Sequence, residues 1–163
     1  MNIEKLKDLY IAELQEARSV EAQLSDALPK MKDAASAADL KQAIETHLGE
    51  TLSQLERVEE ILQRHGAEAR AHSDQSMQTI VGEADKWAGM VDDPACRDAG
   101  LIASAQRIEH YEIAVYGTLA AWAKQLDLEE DAETLRTILA EEKAADDTLT
   151  GLAKGDVNPE AAA

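Results

Sequence analysis

Breaks are what this chain mostly lacks. Its 163 residues include three prolines, Pro29, Pro94 and Pro159, and eight glycines, so few positions remove an amide donor or loosen the backbone enough to end a helix. Between them, apolar side chains recur at spacings of three and four, the period of helices that turn one face inward. Four long helices follow. The first is expected from about Ile3 to Lys32, with Leu6, Leu9, Leu14, Ala17, Leu24 and Leu28 on its inner side and Pro29 placed to kink or end it. The second starts at an N-cap, Ser36 or Asp39, and carries Leu40, Ile44, Leu48, Leu55, Val58 and Leu62 to a C-cap at Gly66. The third runs from Pro94, a residue favoured in a first helical turn, to Leu126, with Leu101, Ile102, Ile108, Tyr116, Leu119 and Trp122. The fourth covers Glu129 to Lys154, with Leu135, Ile138, Leu139, Leu149 and Leu152.

Connection lengths then fix the topology. Short links join helix one to two and helix three to four, so each pair forms an antiparallel hairpin. Residues 67–94 between the pairs are long enough to cross a bundle lengthwise, with a short helix over Met77–Val91. An all-α, ferritin-like four-helix bundle of two hairpins joined by a long crossover is therefore expected, since simple up-and-down bundles use only short loops. The bundle should occupy residues 1–155, leaving 156–163 as a loose tail. The two halves share no evident sequence repeat.

Composition agrees and excludes partners. Phe is absent and aromatics are 3% of the chain, so the core must come from Leu, Ala, Ile, Val and Met, as in helical bundles. A formal charge of -17 repels nucleic acid and anionic membrane surfaces and attracts cations. The single Cys96 rules out an intramolecular disulfide and any cysteine-based zinc site. The N-terminus MNIEKLKDLY has neither a basic nor an apolar leader region, and no apolar run is long enough to span a bilayer, so a cytoplasmic protein is expected.

Polar residues interrupt the apolar stripes at corresponding heights. Glu21 lies in the row Ala17, Glu21, Leu24, Leu28; His47 and Glu50 lie among Leu40, Ala43, Gln54 and Val58. Glu109 and Glu112, in the stretch RIEHYEIAVYG, sit between Ala105 and Tyr116; Glu142 and Asp146 sit between Leu139 and Leu149. A glutamate pair three apart is ordinary on a solvated face, and a lone histidine is ordinarily structural. Carboxylates on all four inner stripes are another matter, because a buried carboxylate must be neutralised. Two divalent cations would do this, and iron suits oxygen-rich ligation with one imidazole, with manganese or another divalent ion as alternatives. Glu21, His47, Glu50, Glu109, Glu112, Glu142 and Asp146 are the candidate metal-ligating residues. His110 points about 100 degrees away from Glu109 on a regular helix, which places it outside the set.

The strings SVEAQL, HLGETLSQLERVEEIL, RDAGLIASAQRIEHYEIAVYGTLAAWAKQLDL and LAEEKAADDTLTGLA resemble the YciF-type bacterial stress proteins, a branch of the ferritin-like superfamily. The resemblance covers almost the whole chain. It implies a four-helix bundle, often a homodimer, with a rubrerythrin-like di-metal centre, and by position it points to Glu21, Glu50, Glu109, Glu112 and Glu142. The chain departs from the usual Glu-x-x-His of ferritins: helix two has His47 before Glu50, and helix four has Asp146 after Glu142 with no histidine. The expected function is a di-iron protein with ferroxidase or peroxide-reducing activity during stress, acting on O2 or peroxide. No rubredoxin-type CxxC pair is present to feed in electrons, so a donor would be external. The alternative is a non-enzymatic stress or interaction protein with a structural or vacant metal site. No serine-hydrolase elbow, nucleotide-binding glycine pattern or zinc spacing competes with either.

Overall fold

The computed structural model describes residues 3–163; residues 1 and 2 of the expected bundle domain lie outside the described residues. Four long helices form the bundle: α1 (Leu6–Ala34), α2 (Ala38–Arg64), α4 (Pro94–Gln125) and α5 (Glu129–Leu152), with the crossover helix α3 (Gln75–Met90) between the hairpins. Around the square the neighbours are α1 with α2, α2 with α5, α5 with α4, and α4 with α1, while α3 packs on α4 and α1. This is the ferritin-like arrangement, and it matches the expected class.

Local rules explain most helix ends. Asp93 and Asp74 cap α4 and α3 by accepting from the Cys96 and Met77 amides, and Pro94 stands in the first turn of α4, where its missing amide costs nothing. At the end of α2, Gly66 takes the left-handed conformation (φ 62°), the Ala67 amide reaches back to the Leu62 carbonyl and the Gly66 amide to Gln63. The end of α4 repeats this geometry with Asp127 at φ 56°.

Other details differ from the sequence expectation for definite reasons. Pro29 neither ends nor breaks α1, which continues to Ala34; Leu28, Met31 and Ala35 are buried on either side of it, and their burial outweighs one lost backbone hydrogen bond. Neither Ser36 nor Asp39 caps α2. The first residue before the helix is Ala37, without a side-chain cap, and the buried Asp98 of α4 accepts from the Ser36 and Ala37 amides instead, at 2.8 and 2.7 Å. Leu9 is exposed because the buried line of α1 runs through Tyr10, Leu14 and Ala17, one position further on. The tail is ordered: a π-helical turn (Ala153–Val157) leads into a last short helix, α6 (Asn158–Ala161), and Val157 is 4% exposed against the core.

The core is in two parts. One apolar cluster is built on Leu24, Leu28, Leu40, Ile44, Leu101 and Ile108, the other on Tyr10, Leu14, Leu62, Tyr116, Leu119 and Leu135. Between them lies a belt of buried polar side chains: Glu21, His47, Thr51, Gln54, Glu109, Glu112 and Glu142. Each large aliphatic side chain in the clusters contributes about 1.5–3 kcal/mol by leaving water. Each member of the belt has to be satisfied in some other way.

Candidate metal centre

Three helices deliver the belt's centre. One ligand atom from each of His47 on α2, Glu109 and Glu112 on α4, and Glu142 on α5 lies within 4.8 Å of every other, and all four residues are buried. The His47 Nε2 is 3.4 Å from Glu109 Oε1 and 3.9 Å from Glu112 Oε2, reaching across the diagonal of the square. Helical periodicity brings them together: Glu109 and Glu112 are three apart, so they share a face, and on α5 the inward line Leu135, Glu142, Leu149 steps by seven.

The remaining candidates lie around this group. Glu21 of α1 is fully buried beside Glu112 and accepts a hydrogen bond from the Tyr116 hydroxyl. Glu50 is at the rim, its side chain 37% exposed and 3.8 Å from His47 Nδ1. Asp146 is turned away from the four: it pairs with His110 Nε2 at 3.2 Å and accepts from Gln106 at 3.1 Å. His110 is on the outside of α4, as its helical angle requires.

The electrostatics show what the group lacks. His47 Nε2, one oxygen each of Glu21, Glu109 and Glu142, and both oxygens of Glu112 are buried without a hydrogen-bond partner. Burial, with the charge of Glu142 next, pushes the Glu109 carboxyl up to about 10. Burial and then the neighbouring carboxylates Glu21, Glu142 and Glu109 drive Glu112 well above the usual range. Burial raises Glu21 to about 8 against the pull of the Tyr116 hydrogen bond, and raises Glu142 against the opposing influence of His47. Without cations burial favours the neutral, protonated form of these carboxyls, and a native fold seldom leaves so many buried acceptors orphaned in one place. The donor set, hard carboxylate oxygens with one imidazole, fits divalent iron or manganese.

Two further polar groups stand outside the candidate ligand set. Gln54, on the inner row of α2, donates through Nε2 to Glu142 and to Glu141 at 3.1 Å, and Glu141 is held in turn by Arg57. Their spacing of three on α2 was the available clue. At the far end of the bundle, buried Asp131 accepts from Tyr10 (2.9 Å) and Arg64 (2.8 Å) and lies 2.6 Å from His65 Nε2. Burial alone would raise this carboxyl, but those hydrogen bonds outweigh it and hold Asp131 below the usual range.

The comparisons bear on this centre. Residues 5–162 match the model of a domain of unknown function, DUF892. The chain is 40% identical to the protein YciF of Escherichia coli K12 over 99% of its own length and 98% of that protein's. The crystal structure of the E. coli stress protein YciF superposes with a TM-score of 0.91 at 39% identity, covering 96% of this chain and 99% of that one. A protein from Rhodopseudomonas palustris, for which a structural role is proposed, gives a TM-score of 0.88 at 38% identity over 91% of this chain and 95% of that one. A protein from Xanthomonas campestris pv. campestris shares the fold at 21% identity and a TM-score of 0.76, over 94% of each chain.

Proposed function

The chain belongs to the DUF892 family, and from that premise we propose that it is a stress-associated di-metal protein in which ferrous iron is oxidised by dioxygen or peroxide. One observation carries the reading: four buried residues on three helices offer ligand atoms within 4.8 Å of one another, and each of the four has a buried polar atom without a hydrogen-bond partner. His47, Glu109, Glu112 and Glu142 would hold one ion, and Glu21, next to Glu112, would help to hold a second. A pair of ferrous ions, when bound, supplies two one-electron equivalents to an oxidant.

The chain's own part is to place charge and protons. Glu21, Glu109, Glu112 and Glu142 would hold the cations as anions, releasing whatever protons burial keeps on them, and those anions would favour the more highly charged oxidised state. Gln54 fixes one oxygen of Glu142, and Tyr116 fixes one oxygen of Glu21, so the opposite oxygens face the centre. The two apolar clusters above and below close the ends of the belt to bulk water, which strengthens the interactions of its fully buried members. The E. coli relative is described as a stress protein, which supports placing the activity in a stress response.

Purification from iron-replete cells, metal counting per chain, and ferrous oxidation followed by near-ultraviolet absorbance test the reading. The expected result is about two metals per chain and oxidation faster than in buffer, with both lost in Glu109→Gln and Glu142→Gln. No metal uptake by the folded protein would overturn it. A second reading, in which metal only fastens the hairpins, draws on the structural role proposed for the Rhodopseudomonas relative; uptake without faster oxidation would select it.

A further inference from the structure

Between α2 and α5 the bundle wall is open. A cavity of about 270 Å3 enters there and ends on His47 and Glu109. Its wall is mostly apolar: Leu28, Ile44, Ile108 and Leu149 line its depth, and small residues such as Ala145 leave the space that larger side chains would fill. Two buried polar groups line it as well. His47 is 6% exposed and Glu109 1%, and His47 Nε2 and Glu109 Oε2 have no hydrogen-bond partner. Thr148 stands exposed at the mouth.

A passage for dioxygen or hydrogen peroxide alone needs neither this volume nor this lining. An apolar cavity of about 150 Å3 accommodates benzene, so about 270 Å3 has room for a ring with a short branch. The polar end of such a molecule would meet the centre. A permanent anion is disfavoured by Glu50 beside the cavity and by the net charge of -17, and a cation by the metal ions themselves. A neutral head remains.

Resting on the di-metal reading, we propose that this cavity is the binding site for a small organic hydroperoxide, its compact apolar body held between Ile44 and Leu149 and its neutral hydroperoxy end directed to His47 and Glu109. Reduction breaks the O–O bond with two electrons, one from each of two ferrous ions, and two protons, giving the alcohol and water. Selectivity for an organic peroxide over hydrogen peroxide then comes from burial of the apolar body.

The test separates binding from turnover. Metal-free protein is titrated with 2-phenyl-2-propanol, the inert alcohol corresponding to cumene hydroperoxide, by calorimetry and ligand-observed NMR. One molecule per chain is expected, with magnetisation transfer from the Ile44 and Leu149 methyls, and about tenfold weaker binding in Ala145→Phe. Thr148→Phe, at an exposed mouth position outside the core, provides the same block if Ala145→Phe fails to fold. In iron-loaded protein either variant lowers the oxidation rate with cumene hydroperoxide relative to hydrogen peroxide by about tenfold. Absence of alcohol binding, binding undiminished in the folded variants, an unchanged rate ratio, or a solution dimer whose second copy covers the mouth overturns the proposal. Alcohol binding by a protein that takes up no metal would sink the di-metal reading while leaving the cavity a binding site. Metal uptake and peroxide oxidation without alcohol binding would do the reverse.

Discussion

At the scale of single residues, Glu112 is the most telling. It is 0% exposed, both its oxygens lack partners, and three neighbouring carboxyls raise its pKa further beyond the effect of burial. In metal-free protein burial and those neighbours favour its neutral form, nearly the shape of an amide. Glu112→Gln should therefore leave metal-free stability within about 1 kcal/mol of wild type, and should remove most of the metal uptake. Denaturant unfolding and metal counting check both halves; a loss of about 3 kcal/mol would mean that the carboxylate is ionised and paired in the metal-free fold. The glutamates were legible in the sequence because periodicity works along one helix at a time. Which of His47 and Glu50 turns inward was not, because three residues along a helix differ by about 60 degrees in direction. The choice is made by how α2 is rotated in the bundle, and the buried line His47, Thr51, Gln54, Val58 settles it. Asp146 followed Glu142 at a helical spacing too, yet the seven-residue step of α5 passes one position before it, and Asp146 pairs with His110 instead.

At the scale of elements, helix existence and order were readable because each long stripe needs only its own residues. Ends were readable where the signal was local, as at Asp93, Pro94 and Gly66. The start of α2 was not, because its cap comes from Asp98, whose carboxylate takes the Ser36 and Ala37 amides from 62 and 61 residues away. That side chain fastens the turn of the first hairpin to the third long helix. Asp98→Ala should cost about 2–3 kcal/mol, the cost of two amides losing a charged acceptor. Asp98→Asn should recover about half, since an amide oxygen still accepts. Urea unfolding of the three proteins measures this, and equal stability of Asp98→Ala and wild type would show that water replaces the carboxylate without loss.

At the scale of the whole molecule, the belt makes stability depend on pH in an unusual direction for an acidic protein. Burial pushes Glu21 up to about 8 and Glu109 up to about 10 in the fold, against an ordinary glutamate value of 4.5. Between those limits the folded chain binds protons that the unfolded chain releases, so stability is fully present below about pH 4.5 and is lost as pH rises through 8 and towards 10. Asp131 works the other way, since its lowered pKa keeps its contribution at every pH above the unfolded value of 3.8. Metal-free protein should lose about 5 °C or more in melting temperature from pH 5 to pH 9, and Glu109→Gln should flatten the slope. A fixed concentration of ferrous or manganous ion, about a hundred times its dissociation constant at pH 7, should add about 2.7 kcal/mol there and more at the alkaline end, where fewer protons must be displaced. Calorimetric scans with and without metal decide it; a metal-free melting temperature that rises from pH 6 to 9 would contradict the protonated belt.

The crossover has a consequence of its own. Residues 67–73 run between α2 and α3, largely exposed, until Asp74, whose backbone and side chain are held by Ser19, Gln23 and Tyr111. Nothing in the central group depends on the connection itself: His47 and Glu21 belong to the piece before it, and Glu109, Glu112 and Glu142 to the piece after. A chain opened within that stretch would be a pair of complementary fragments, neither owning a complete ligand set, and the metal would register only their reunion.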